Sequence, residues 1–138
     1  MFASSAKLSK LKNLLLCPIP IEHKIADLIA KQNLNISWEC CKKLAILVNI
    51  HYKWNSIHNI SAHRTIGQVI KKQVGDSLTL VPYLERKNLK TLLDLGSGPG
   101  FPGLPIAITC PNLMVTLLDS KKKISCFCLS CLRYFKIR

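Results

Sequence analysis

The sequence predicts an α/β fold in which a helical N-terminal region leads into the first part of a parallel sheet. Three observations point there. Apolar residues recur at helical spacing through the first two thirds of the chain. From Lys90 onward the pattern changes to two short apolar runs, "TLLDL" and "LMVTLLD", flanking "FPGLPIAITC". Between them, "LLDLGSGPGFPGLPIA" (92–107) holds four of the six glycines and three of the seven prolines. Strand, glycine-rich turn, helix, strand is a βαβ unit, and its crossover makes the two strands parallel.

Taken in order, residues 1–20 carry lysines ahead of a short apolar patch that runs into Pro18 and Pro20, and they are expected to be an extension, unstructured or a short helix. Residues 21–32 and 37–54 are predicted helices. Ser37 is placed to cap the second, whose inner face reads Cys41, Leu44, Leu47 or Val48, and Ile50 with Tyr52 or Trp54. The polar stretch Asn55–Arg64 breaks the pattern. Two more short helices, 65–72 and 76–84, are expected to be separated at Gly75. Residues 21–88 thus form a helical region, 89–123 the first βαβ part, and 124–138 a tail of different character.

Composition narrows the partner more than the fold. The chain has 138 residues and a formal charge of +13, from 20 Lys and Arg against 7 Asp and Glu, which suits a polyanion because each neutralised phosphate releases counterions. A basic surface with no specific partner fits the charge equally well. The seven cysteines form no regular framework, so a reducing compartment such as the cytoplasm is expected. Cys128 and Cys131 make a single CxxC without a second ligand pair, and no metal site is expected. No apolar run approaches the roughly 20 residues that span a bilayer, so no membrane partner is expected.

Chemistry concentrates in the glycine-rich turn. Asp94, Gly96, Gly98 and Gly100 spell D-x-G-x-G-x-G directly after the first predicted strand. Glycines there allow positive φ and bring bare backbone to a ligand. A dinucleotide fingerprint needs a third glycine where Phe101 stands, which disfavours a nicotinamide-dependent oxidoreductase. The acid-then-glycines order is the first motif of class I (Rossmann-like) S-adenosylmethionine-dependent methyltransferases. Asp119 ends the second strand 25 positions after Asp94, where a carboxylate can accept both ribose hydroxyls. The competing structural reading is an ordinary tight turn and a strand-end aspartate that starts the next helix.

The segments "KWNSIHNIS" (53–61), "GDSLTLVPYL" (75–84), "DLGSGPGFPGLPIAI" (94–108) and "VTLLDSKKK" (115–123) resemble the RsmG (GidB) family of bacterial methyltransferases, which methylate guanine N7 of 16S ribosomal RNA. The likeness runs from about Ile21 to Lys123. It implies that S-adenosylmethionine is the cofactor, that Gly96 and Phe101 line its pocket, that Gly98 and Gly100 shape the loop, that Asp119 holds the ribose, and that Asp94 is also one of the cofactor-binding residues. It implies 16S RNA or a small-subunit precursor as partner, with Lys42, Lys43, Lys53, Arg64, Lys71 and Lys72 available for phosphates. Trp54, Asn55 and Asn59 match the family's "WN…N" element, and Trp54 reads as packing.

Two departures stand out. Gln73 occupies a position where the family usually has His, and Gln cannot carry a charge. The family also runs on for several more strands, so the expectation is a C-terminally truncated copy lacking part of the cofactor site. Its Cys-rich end, "ISCFCLSCLRYFKIR", is expected to replace the family's next helix, as a shifted reading frame would do. The alternative to an active methyltransferase is a non-enzymatic RNA-binding remnant. No catalytic residue is assigned, because N7 attacks with a lone pair that carries no proton.

Overall fold

A computed structural model describes residues 19–137. The expectation for the N-terminal extension therefore lies almost wholly outside the described residues, as does Cys17. The first helix among the described residues is α1 (Ile21–Lys31), which buries Ile25 and Ile29 one turn apart. Helix α2 (Trp38–His58) follows. As expected, Ser37 caps it, its hydroxyl accepting the Cys40 N–H at 3.3 Å.

Helix α2 runs four residues beyond the predicted end at residue 54; its inner face holds as predicted at Cys41, Leu44, Leu47 and Val48, which are buried, and departs only toward the C-terminal end. The buried line is Leu44, Val48, His51 and Asn55, while Tyr52 faces outward and Ile50 and Trp54 are half-buried. Two polar residues, His51 and Asn55, hold core positions, and the expected break falls after His58, most of the polar stretch 55–64 being exposed. Asn55 spends its amide on the following loop: its Nδ2 donates to the His63 carbonyl at 2.9 Å and its Oδ1 accepts the Ser61 N–H at 2.8 Å. Burial of an amide is tolerable when both ends are bonded. Asn59 then ends the helix at φ 52°, a left-handed conformation in which Asn is enriched.

Helix α3 (Ile66–Gln68) starts with a capping box between Thr65 and Gln68. It continues as a π-helical segment (Val69–Val74) into α4 (Gly75–Leu78). The predicted separation at Gly75 does not occur. Gly75 is helical, at φ −58° and ψ −49°, and a Cβ on it would stand 3.4 Å from the Leu28 side chain. The glycine therefore admits α1 at close range. The helical path breaks instead at Thr79–Leu80, ahead of α5 (Val81–Lys87), whose Pro82 lies in the first turn.

The second region is strand β1 (Thr91–Leu95), helix α6 (Gly103–Thr109), strand β2 (Met114–Leu118) and helix α7 (Lys122–Phe135). The strands pair in parallel, in register from Thr91 with Met114 to Leu95 with Leu118. This is the predicted βαβ unit, in a sheet of two strands among the described residues. The fold is thus mixed: predominantly helical, with a small parallel sheet.

The Cys-rich end is itself helical, forming α7. Ile124, Phe127, Cys128 and Cys131 are buried at i, i+3, i+4 and i+7 along one face of it. Cysteine packs as a small hydrophobe, which is why a Cys-rich segment forms an ordinary amphipathic helix. The cysteines at 40, 41, 110, 126, 128 and 131 are free thiols.

Two apolar clusters meet at α6. Leu104 faces the large helical core with Leu44, Val48, Val74, Leu78 and Phe127. Ile106 and Ala107 face a smaller cluster with Leu84, Leu113 and Val115 beneath the sheet. The opposite sheet face is uncovered among the described residues: Leu93, Leu95, Met114 and Leu118 are 58%, 75%, 63% and 53% exposed.

Candidate cofactor-binding site

Parallel pairing puts the C-terminal ends of both strands at one edge of the sheet, the edge where ligands of open α/β sheets bind. The glycine loop (96–102) leaves β1 there, and Asp119 leaves β2. The root of the loop is pinned across the pair, since the Gly96 and Ser97 N–H groups both donate to the Leu118 carbonyl, at 2.7 and 3.1 Å. Sequence proximity did not dictate that Asp119 and the loop should meet; strand register does.

Gly96, Gly98 and Gly100 have φ of +73°, +51° and +83°. At Gly96 and Gly98 an added Cβ would meet nothing within 4 Å, so the outer side of the loop is open. Gly100 faces inward, where a Cβ would come within 2.3 Å of the buried Leu104 side chain. The two outer glycines thus leave room for a ligand, and the inner one lets the loop turn back onto α6.

Asp119 sits beside that open side. Its Oδ2 accepts the Gly98 N–H at 2.9 Å and its Oδ1 accepts the Lys121 N–H at 2.8 Å. The bonds from Lys121 and Gly98 hold its carboxyl below the usual carboxylate range, so it is ionised at neutral pH. Each oxygen keeps lone pairs free for further donors.

Asp94 does something different. It lies on the covered sheet face, and its Oδ2 accepts the Gly103 N–H at 2.9 Å, tying β1 to the start of α6. Burial raises its pKa, the Gly103 bond pulls the other way, and the Asp119 charge adds to the rise. Gly103 itself permits the close approach: a Cβ there would lie 2.1 Å from Leu117 and 2.8 Å from Asp94 Oδ2. Asp94 shapes the loop from below, whereas Asp119 stands at its open side.

Phe101 is half-buried and turned toward the helical core, edge-on to His51 with 5.5 Å between ring centroids. His51 also meets Phe127 edge-on at 6.1 Å. It is fully buried, neither ring nitrogen has a partner among the described residues, and burial, with a smaller contribution from His63, lowers its pKa to about 4. His51 was missed in the sequence because a histidine beside Tyr52 and Lys53 reads as surface. Cys128, read in the sequence only as half of a CxxC, packs beneath the loop. Its thiol contacts the Gly98 carbonyl at 3.7 Å, and burial, with the nearby carboxylates, pushes its pKa up to about 11. It is therefore a packing group and not a nucleophile at neutral pH. The 124, 127, 128, 131 spacing was the available signal for it.

Two other motif residues make contacts among the helices and their loops. Trp54 packs edge-on against Phe127 at 5.5 Å, as expected. Gln73 donates to the Ser61 hydroxyl at 3.3 Å, on the same loop that Asn55 secures.

A family model described as GidB, rRNA small subunit methyltransferase G, matches residues 40–137. The chain belongs to the GidB family. The match takes in α7, so the GidB likeness does not stop at Lys123 as the sequence reading had it. Among individual relatives, a ribosomal RNA small subunit methyltransferase G of Haemophilus influenzae is 36% identical over 114 residues, covering 83% of this chain and 55% of that protein. The protein of that name from Neisseria meningitidis is 39% identical over 99 residues, 72% of this chain and 47% of its own. That of Coxiella burnetii is 44% identical over 85 residues, 62% and 40%. The chain spans about half the length of the GidB relatives it matches.

Proposed function

We propose that this chain carries the S-adenosylmethionine-binding half of a class I, Rossmann-like methyltransferase that acts on N7 of a guanine in 16S ribosomal RNA, in the cytoplasm. The observation that carries the reading is the pairing of an open glycine loop with an ionised aspartate bonded to its tip. The names of the GidB relatives support ribosomal RNA as the substrate class.

The residues present suit that cofactor. Side chains at Gly96 and Gly98 would fill the space on the outer side of the loop, and none is there. Asp119 is charged and oriented by two backbone N–H groups, which suits acceptance of vicinal hydroxyls. Phe101 forms a wall of the loop on the side of the helical core. When bound, S-adenosylmethionine supplies a methyl group on a sulfonium, an electrophile that a nitrogen lone pair can attack in line. The attacking N7 loses no proton, so the protein needs no general base. Its contribution is positioning, worth about 7–11 kcal/mol in well-oriented cases. In A-form RNA the groove bearing N7 is deep and narrow, so the target guanine is one in a loop or unstacked.

A methyl-transfer assay with labelled cofactor and unmethylated small-subunit RNA tests this, using the chain alone and the chain extended by the C-terminal half of a GidB relative. The extended chain should label guanine N7 and lose that activity on Asp119→Ala. No transfer by the extended chain, or transfer indifferent to Asp119, overturns the reading.

A further inference from the structure

The basic residues that the helical region offers are scattered, but one set converges. Where α2 ends and α7 begins, a pocket of about 270 Å³ is lined by His58, Asn59, Lys121, Lys122, Lys123 and Ile124, with Ile60 at its base. Three lysines and a histidine face it, and none of its lining residues is acidic. Lys121, Lys122 and Lys123 are exposed and, among the described residues, form no ion pair, the ion pair there being Lys42 with Glu39 on α2; the Lys121 charge acts on Asp119 only at longer range.

The far wall is braced. The His58 ring lies against Trp54 with 5.0 Å between centroids. Asn59 is fixed by its left-handed backbone at the end of α2, and its Oδ1 accepts a hydrogen bond from the Arg64 guanidinium, which brings a further cation to this end of α2. The pocket also has a defined relation to the candidate cofactor site. Lys121 lies two residues past Asp119 and donates its backbone N–H to that carboxylate. Both features therefore occupy the edge of the sheet where the strands end.

We propose that this pocket is a subsite for backbone phosphate of the RNA strand, holding it beside the cofactor edge. The inference rests on the methyltransferase reading only for the identity of the strand; the site itself stands on charge and shape. Clustered cations around a concavity recognise a phosphodiester, and lysines bind it as point charges without base preference. The site adds affinity and register, while the choice of base lies elsewhere.

The test is binding of a short labelled single-stranded oligoribonucleotide across a salt series. The wild-type chain is compared with Lys121→Gln/Lys122→Gln/Lys123→Gln and with a charge-matched control, Lys24→Gln/Lys31→Gln/Lys87→Gln, whose lysines are exposed and lie outside the pocket. For single strands each phosphate neutralised contributes about 0.7 to the slope of log K against log salt, so losing the one phosphodiester held here should take about 0.7 from the slope. Its affinity at low salt should fall about tenfold or more, with the control near wild type. Equal losses in both variants would mean a diffuse basic surface and overturn the proposal, as would no loss in the pocket variant or no RNA binding by the wild type. S-adenosylmethionine titration of the same proteins separates the two readings. Retained cofactor affinity with unaltered RNA binding sinks the phosphate site alone, and absent cofactor affinity with the expected slope change sinks the cofactor reading alone.

Discussion

In the helical layer Leu44, Leu47, Val48 and Val74 are fully buried, whereas the outer face of the sheet leaves Leu93, Leu95, Met114 and Leu118 more than half exposed. Helices satisfy their own backbones and need only one face covered, so a handful of them can close a core. A parallel sheet is normally covered on both faces, and among the described residues only the face toward α6 is. The candidate site hangs on the more open region, held by backbone bonds across the strand ends and by Asp119. Stability and site geometry therefore have different sources: the first comes from helical packing, the second from strand register.

The largest expected effect falls where the two regions are joined. Phe127 of α7 is fully buried and touches both His51 and Trp54 of α2. Phe127→Ala should cost about 3–5 kcal/mol in urea unfolding. If it costs as little as a surface change, α7 is not part of the core.

A pH series probes the same junction. His51 is neutral in the folded chain, with its pKa lowered from the ordinary 6.5 to about 4. Protons thus bind the unfolded state more tightly. The stability present above pH 6.5 is lost as pH falls toward 4, at about 1.4 kcal/mol per unit and about 3 kcal/mol in all. Urea unfolding of His51→Leu should lack this component, and a wild-type pH dependence retained in His51→Leu would assign it to other groups.

Smaller effects separate caps from packing. Ser37→Ala removes the acceptor at the start of α2 and should cost about 1 kcal/mol. On the sheet, Leu95→Ala should change stability by less than about 0.5 kcal/mol, because that side chain is 75% exposed. A loss of several kcal/mol at Leu95 would mean that its face is covered in solution.

Much of this arrangement was legible in the residues, and the exceptions share a cause. The βαβ unit was readable because glycines and prolines punctuate two short apolar runs, and the loop with its acid because β1 and β2 end where those runs end. Ser37 announced a helix start by residue type alone. His51 and Asn55 were not readable as core positions, since polar side chains are placed inside only by partners distant in sequence. Gly75 read as a breaker, but its role is to admit Leu28. Cysteines at 128 and 131 disguised the apolar face of α7. In each exception a residue type was overruled by a tertiary neighbour that the local pattern does not contain.

The pairing of the glycine loop with Asp119 is tested most directly by calorimetric titration with S-adenosylmethionine, in the wild-type chain and in Asp119→Ala. The wild type should bind, and the variant should lose about a hundredfold in affinity, the worth of two hydrogen bonds to a charged group, while its far-ultraviolet circular dichroism still reports a folded chain. No binding by the wild type, or equal binding by both, would contradict the site described here.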